Sequence, residues 1–79
     1  MNGKVTLRLT NRLEAPQTLV LEPWTTEYKL QPGESIDILA EGNVELPLEV
    51  EVEGDQLTLH SFDSAGALLT VVRESGFAR

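Results

Sequence analysis

Between Leu46 and His60 the chain reads LPLEVEVEGDQLTLH, alternating apolar and polar on both sides of Gly54-Asp55. A period of two belongs to a strand with one buried face, whereas a helix repeats its apolar positions every three to four residues. With Gly54 and Asp55 as the central pair of a hairpin turn, Glu53 faces Gln56, Val52 faces Leu57, Glu51 faces Thr58, Val50 faces Leu59 and Glu49 faces His60. Apolar then meets apolar, and polar meets polar, along the whole ladder. A one-residue slip would turn every side chain to the wrong face, so the register is strongly specified. Leu46, Leu48, Val50 and Val52 share the inner face of this strand, and Pro47, Glu49, Glu51 and Glu53 the outer one. The proline marks an edge strand or a strand's start.

The same period runs through the rest of the chain. KVTLRLT sets Val5, Leu7 and Leu9 against Lys4, Thr6 and Arg8. NRLEAPQ turns the chain, with Pro16 at the end of the turn. QTLVLEP is a strand with Leu19 and Leu21 inward and Val20 outward, closed by Pro23. TEYKL puts Tyr28 and Leu30 inward. QPGE carries proline and glycine at the two central positions of a type II turn, where proline presets φ and glycine accepts a positive one. SIDILAE turns Ile36 and Ile38 inward, and EGN is expected to end that strand. SFDSAG turns the chain once more. ALLTVVRE differs from the others, with Leu69 and Val71 on one face and Leu68 and Val72 on the other. A strand of that kind is covered on both sides, here by the C-terminal Phe77 folding back or by another subunit.

Seven short strands with frequent turns predict an all-β domain, a small antiparallel sandwich or flattened barrel spanning residues 1–79 as one unit. A chain of 79 residues buries only about 60% of the surface its unfolded form exposes. Its core supplies roughly 3–5 kcal/mol of stability. No cysteine is present, which removes disulfides and thiolate metal sites as reinforcement and leaves a partner subunit. The formal net charge of −7 repels phosphate backbones and anionic lipid heads, so neither nucleic acid nor membrane is expected as a partner. Lys4, Arg8 and Arg12 are expected to neutralise facing carboxylates. MNGKVTLRLTNR has neither the apolar run nor the cleavage site of a signal peptide, and the expected location is the cytoplasm.

Four groups of residues are candidates for chemistry. Trp24 and Tyr28 are the only tryptophan and tyrosine. As a pair they would make a stacking platform for a saccharide or an extended peptide. As large apolar groups in a thin core they are expected inside instead, Tyr28 beside Leu30 and Trp24 plugging one end of the sandwich. Glu49, Glu51 and Glu53 form a carboxylate row with neighbours about 7 Å apart, too far to share a calcium ion, whose ligands lie at about 2.3–2.6 Å, without help from a loop, so calcium is the less favoured partner of this face. The row reads as a solvated face that pairs with Lys4 and Arg8 if the first strand lies alongside. His60, the only histidine, faces Glu49 and makes the one acid–base pair available to an enzyme, but no nucleophile turn or oxyanion site accompanies it. A lone histidine without cysteine is also a poor zinc set. Phosphate-cradling and dinucleotide-binding glycine motifs are lacking, and no cofactor is expected.

Glu22, Pro23 and Trp24, then Tyr28, then Pro32, Gly33 and Glu34 resemble the pattern of a group of short, uncharacterised bacterial β-domain proteins. That group has an acidic-proline-tryptophan step, a tyrosine or similar residue, and a proline-glycine turn. The match covers about a quarter of the chain, and Thr25 stands where the group often has glycine. The resemblance implies a free-standing bacterial protein and brings no activity, cofactor or partner with it. The expected function is non-enzymatic protein–protein association, with a second copy of the chain as partner and Leu68, Val72 and Phe77 at the contact. The alternative is a ligand-binding module built on Trp24 and Tyr28.

Overall fold

The computed structural model describes residues 2–75, and its secondary structure is entirely β. Seven strands follow one another: β1 (Asn2–Thr10), β2 (Gln17–Glu22), β3 (Thr26–Leu30), β4 (Ser35–Asn43), β5 (Val50–Glu53), β6 (Gln56–His60) and β7 (Leu68–Ser75). They form two sheets, one ordered β1-β4-β7 and the other β3-β2-β6-β5. The two layers face each other across a core of Leu19, Leu21, Leu30 and Leu59 from the wider sheet and Ile36 and Ile38 from the narrower one. No helix among the described residues is long and apolar enough to cross a membrane. Phe77 lies outside the described residues.

The β5–β6 hairpin has the register its alternation predicts, with Val50 opposite Leu59, Glu51 opposite Thr58, Val52 opposite Leu57 and Glu53 opposite Gln56. Gly54 has φ 59° and Asp55 an ordinary negative φ, the arrangement of a two-residue turn that wants glycine first. QPGE also closes as expected, with the Glu34 N–H donating to the Gln31 carbonyl at 2.9 Å. This turn does not make a hairpin, however. It carries the chain from β3 in the wider sheet to β4 in the narrower one.

Five features differ from the sequence reading. The pairing is not antiparallel throughout, because β2 runs parallel to β6. Val20, expected outward, is buried. It lies on a central strand between Glu27 of β3 and Thr58 of β6, and neighbours on both sides remove it from water although it faces away from the core. EGN does not end its strand. β4 runs on to Asn43, and its buried positions Ile36, Ile38, Ala40 and Gly42 continue the period-two row. LPLEVEV does not form one long strand, since β5 begins only at Val50 and the segment before it lies outside both sheets. Finally, Lys4 and Arg8 do not meet the Glu49 row. Their strand belongs to the other sheet, where Lys4 pairs with Glu41 at 3.9 Å and Arg8 with Asp37 through two hydrogen bonds of 2.7 and 3.0 Å. Neutralisation of facing carboxylates by these two residues is thus observed, on different partners. Asp37 titrates below the ordinary carboxylate range because of the Arg8 hydrogen bonds, against a smaller opposing effect of burial.

Asn11 holds two of the crossings between the sheets, from β1 to β2 and from β3 to β4. Its backbone extends the β1–β4 ladder, donating to the Glu34 carbonyl at 2.9 Å and accepting from the Gly33 N–H at 2.8 Å. Its side chain, fully buried, donates to the carbonyls of Ala15 and Leu30, both at 2.9 Å, and accepts from the Leu13 N–H at 2.8 Å. One residue thereby fixes the exit from β1, the corner leading to β2 and the end of β3.

Between β2 and β3 the turn Pro23–Thr25 includes a cis Glu22–Pro23 bond and a positive φ of 56° at Thr25. A β-branched residue there pays about 1–2 kcal/mol. The hydrogen bond from Thr25 Oγ1 to Glu22 Oε1 at 3.1 Å returns part of that cost. Glycine accepts this φ freely but is more disordered when unfolded. Thr25→Gly is therefore expected to stabilise the domain by about 0.5 kcal/mol, raising Tm by roughly 2–4 °C in a thermal melt. A lowered Tm would mean that the Glu22 hydrogen bond outweighs the strain.

Candidate functional site

The outer face of the wider sheet gathers carboxylates around its one imidazole. Parallel pairing of β2 with β6 sets Glu22 opposite His60, a neighbour that only the tertiary structure supplies. On the other side, the His60 N–H donates to the Glu49 carbonyl at 3.0 Å, so Glu49 faces His60 through its backbone as the hairpin register requires. The side-chain bond goes elsewhere. His60 Nε2 meets Glu51 Oε1 at 2.5 Å, the diagonal partner rather than the directly opposed Glu49. That hydrogen bond raises the His60 pKa above the usual histidine value. Partial burial acts the other way, and the charges of Glu51, Glu49 and Glu22 add to the rise.

Beside this group lies an open cleft of about 560 Å³, lined by Glu22, Pro23, Leu46, Pro47, Glu49, His60, Ser61, Phe62 and Asp63. Its position follows from three local facts. β2 and β6 end together at Glu22 and His60. The segment before β5 leaves the sheet at Leu46 to Glu49. The loop after β6 bends inward to bury Phe62, which closes this end of the sandwich over Gly42. Ser64 fixes that loop by accepting a hydrogen bond from the Asn43 N–H at 3.1 Å. Phe62 thus does the plugging expected of Trp24. The signal was present, since a phenylalanine inside a polar turn has little reason to be there unless it points inward.

Glu49, Glu51 and His60 each offer one ligand atom, and these atoms lie within 4.8 Å of one another. The backbone spacing along the strand remains that of any strand, but long glutamate side chains lean together across it. The 7 Å separation expected of neighbouring carboxylates therefore does not hold at their oxygens. Glu53 is not part of this group.

The aromatic pair is not brought together as a platform. Tyr28 is half-buried and packs against the core cluster, as expected. Trp24 is 44% exposed in its turn, contrary to the expectation that it plugs the sandwich. Leu69 and Val71 of β7 pack on the core, while Leu68 and Val72 are exposed at 49% and 54%. Val72 falls at a register irregularity between Ile38 and Asp37 of β4. A bulge of this kind on an edge strand discourages further strand pairing while leaving the side chain outward.

A second uncovered strip was not foreseen. Val50 and Val52 are exposed at 44% and 70%, yet their cross-strand partners are Leu59, wholly buried, and Leu57, packed on the core. They lie on the core side of the wider sheet. That sheet has four strands and the facing sheet three, so β5 has no opposite strand to cover it. Alternation correctly assigned the face, but not whether anything would lie across from it.

No protein-family model, curated protein or solved structure matches this chain, and its own geometry is what bears on its function.

Proposed function

We propose that this domain is a non-enzymatic association module that pairs with a second copy of itself through the uncovered side of β5. The observation that carries the reading is the exposure of Val50 and Val52 on what is otherwise the core face of the sheet. Apolar groups held in a row on a rigid strand gain by leaving water together, at about 25 cal/mol per Å². Edge-to-edge pairing of β5 with its own copy is disfavoured, because it would bring two rows of glutamates side by side. Face-to-face packing of the valines avoids this and leaves the carboxylates in water. A strip this small supports a weak, reversible contact. Leu68 and Val72 on the outer face of the narrower sheet form the competing strip.

Sedimentation velocity over a rising concentration series tests the reading. The expected result is a shift from monomer toward dimer that strengthens with added salt, since the −7 charge of each copy opposes association until screened. Val52→Asp is expected to hold the chain monomeric and Leu68→Asp to leave the shift in place. A monomer at every concentration and salt overturns the proposal, and loss of the dimer only in Leu68→Asp moves it to the other strip.

The exposure of Trp24 favours a second reading, a ligand contact made by that ring alone. Tyr28 is engaged with the core and is not free to share a platform. Accessible, red-shifted tryptophan emission that turns blue on adding an oligosaccharide or an extended peptide would support it.

A further inference from the structure

The geometry points to a divalent transition-metal site formed by Glu49, Glu51 and His60 on the outer face of the β5–β6 hairpin, with zinc as the fitting ion. Unlike an ordinary acidic strand face, this group has an imidazole nitrogen turned into it. His60 Nε2 contacts Glu51 Oε1 at 2.5 Å, and the Glu49 carboxylate completes a group whose ligand atoms lie within 4.8 Å of one another. In the metal-free protein a proton bridges the imidazole and the carboxylate. A metal ion would take that proton's place and draw the three donors to about 2.0–2.2 Å from itself. The movement required is about an ångström or two of exposed glutamate side chain, with no change in the strands. Glu49 and Glu51 are exposed, which permits it.

The donor set selects the ion. One imidazole nitrogen with two carboxylate oxygens suits zinc and its neighbours, cobalt and nickel. Calcium takes six to eight oxygens and gains nothing from the nitrogen. Three protein ligands leave a tetrahedral ion one open position, as in sites that hold water or an exogenous anion. The adjoining cleft, lined by Glu22, Ser61 and Asp63, provides room for it. The register explains why the three donors meet. Glu51 stands on β5 and Glu49 immediately before it, where the Glu49 carbonyl still accepts from the His60 N–H, and His60 is presented to both at the end of the neighbouring strand. The site joins β5 to β6, the one strand among the described residues that β5 pairs with.

The test uses the full chain, stripped of metal with a chelator and titrated with zinc by calorimetry, and with cobalt by visible absorbance. One ion per chain is expected, with cobalt bands of low coordination number, loss of the free His60 ring signals in NMR, and a Tm that rises with zinc. His60→Ala and Glu51→Gln are each expected to weaken zinc at least as much as losing an outer-shell partner does, about 10–100-fold. Glu53→Gln, on the same strand face but outside the group, leaves affinity unchanged, and millimolar calcium leaves the His60 signals in place. Circular dichroism confirms that each variant is folded. Zinc affinity undiminished in His60→Ala overturns the proposal, as does an absence of one-to-one binding at millimolar zinc.

Discussion

Replacing Asn11 with alanine is expected to destabilise the domain by about 3 kcal/mol, most of what a core of this size supplies. The side chain is fully buried and makes three hydrogen bonds, two donated to the carbonyls of Ala15 and Leu30 and one accepted from the Leu13 N–H. Alanine removes all three and leaves the Leu30 carbonyl, at the end of a strand whose last residue is itself buried, without the amide it faced. An unpaired buried polar group costs about 1–3 kcal/mol, more than the net gain of the bond it lost. Asn11→Asp makes the sharper test. It keeps the size and the acceptor for Leu13 but turns an oxygen toward two carbonyls and buries a charge. At neutral pH it is expected to cost at least as much as alanine. Burial raises the pKa of the introduced acid, so its penalty is full above that pKa and falls as acid protonates the carboxyl and restores one donor. Urea unfolding followed by fluorescence at two pH values measures both effects. A loss under 1 kcal/mol in either variant would mean that Asn11 does not pin the β1–β2 and β3–β4 crossings.

Gly42→Ala is expected to cost about 2–3 kcal/mol. An added β-carbon would stand 2.9 Å from Ser64 Oγ, 3.0 Å from Phe62 Cβ and 3.1 Å from Phe62 Cδ2, and the backbone there has φ 154°. Neither neighbour can give way cheaply. Phe62 is 4% exposed and closes the end of the core, and Ser64 holds the Asn43 N–H. Two comparisons separate crowding from a general intolerance of change in β4. Gly3→Ala, whose new carbon meets only the Val44 side chain at 3.2 Å, is expected to cost less. Phe62→Leu in the Gly42→Ala background is expected to cost less than the two changes made singly, the signature of groups that share one space. Strict additivity in urea unfolding would show that Phe62 and Gly42 are not in contact.

Most of the strand pattern was legible because burial on one face writes itself as a period of two. The β5–β6 register could be read residue by residue, since a two-residue turn leaves one pairing in which apolar faces apolar. Ile36, Ile38, Leu19, Leu21 and Leu30 were placed inside for the same reason. The failures share a different cause. Val20 reads as an outward residue until its strand is known to be central. Val50 and Val52 read as inward residues until the facing sheet is known to be one strand short. Trp24 was assigned inside on size alone, whereas its place in the turn leaves it in water and Phe62 takes the end of the core. Of the candidate site, His60 and Glu49 could be named from the hairpin, but the diagonal contact with Glu51 and the approach of Glu22 could not.

The amino-acid sequence by itself determined where strands form, which face of each is apolar and how the one tight hairpin is paired, because these depend on residues a few positions apart. The tertiary structure alone decided which strands are central or overhanging, that β2 lies parallel to β6, and that three carboxylates surround one imidazole. Strand order is settled by how two layers of unequal width cover each other, and no local spacing records that.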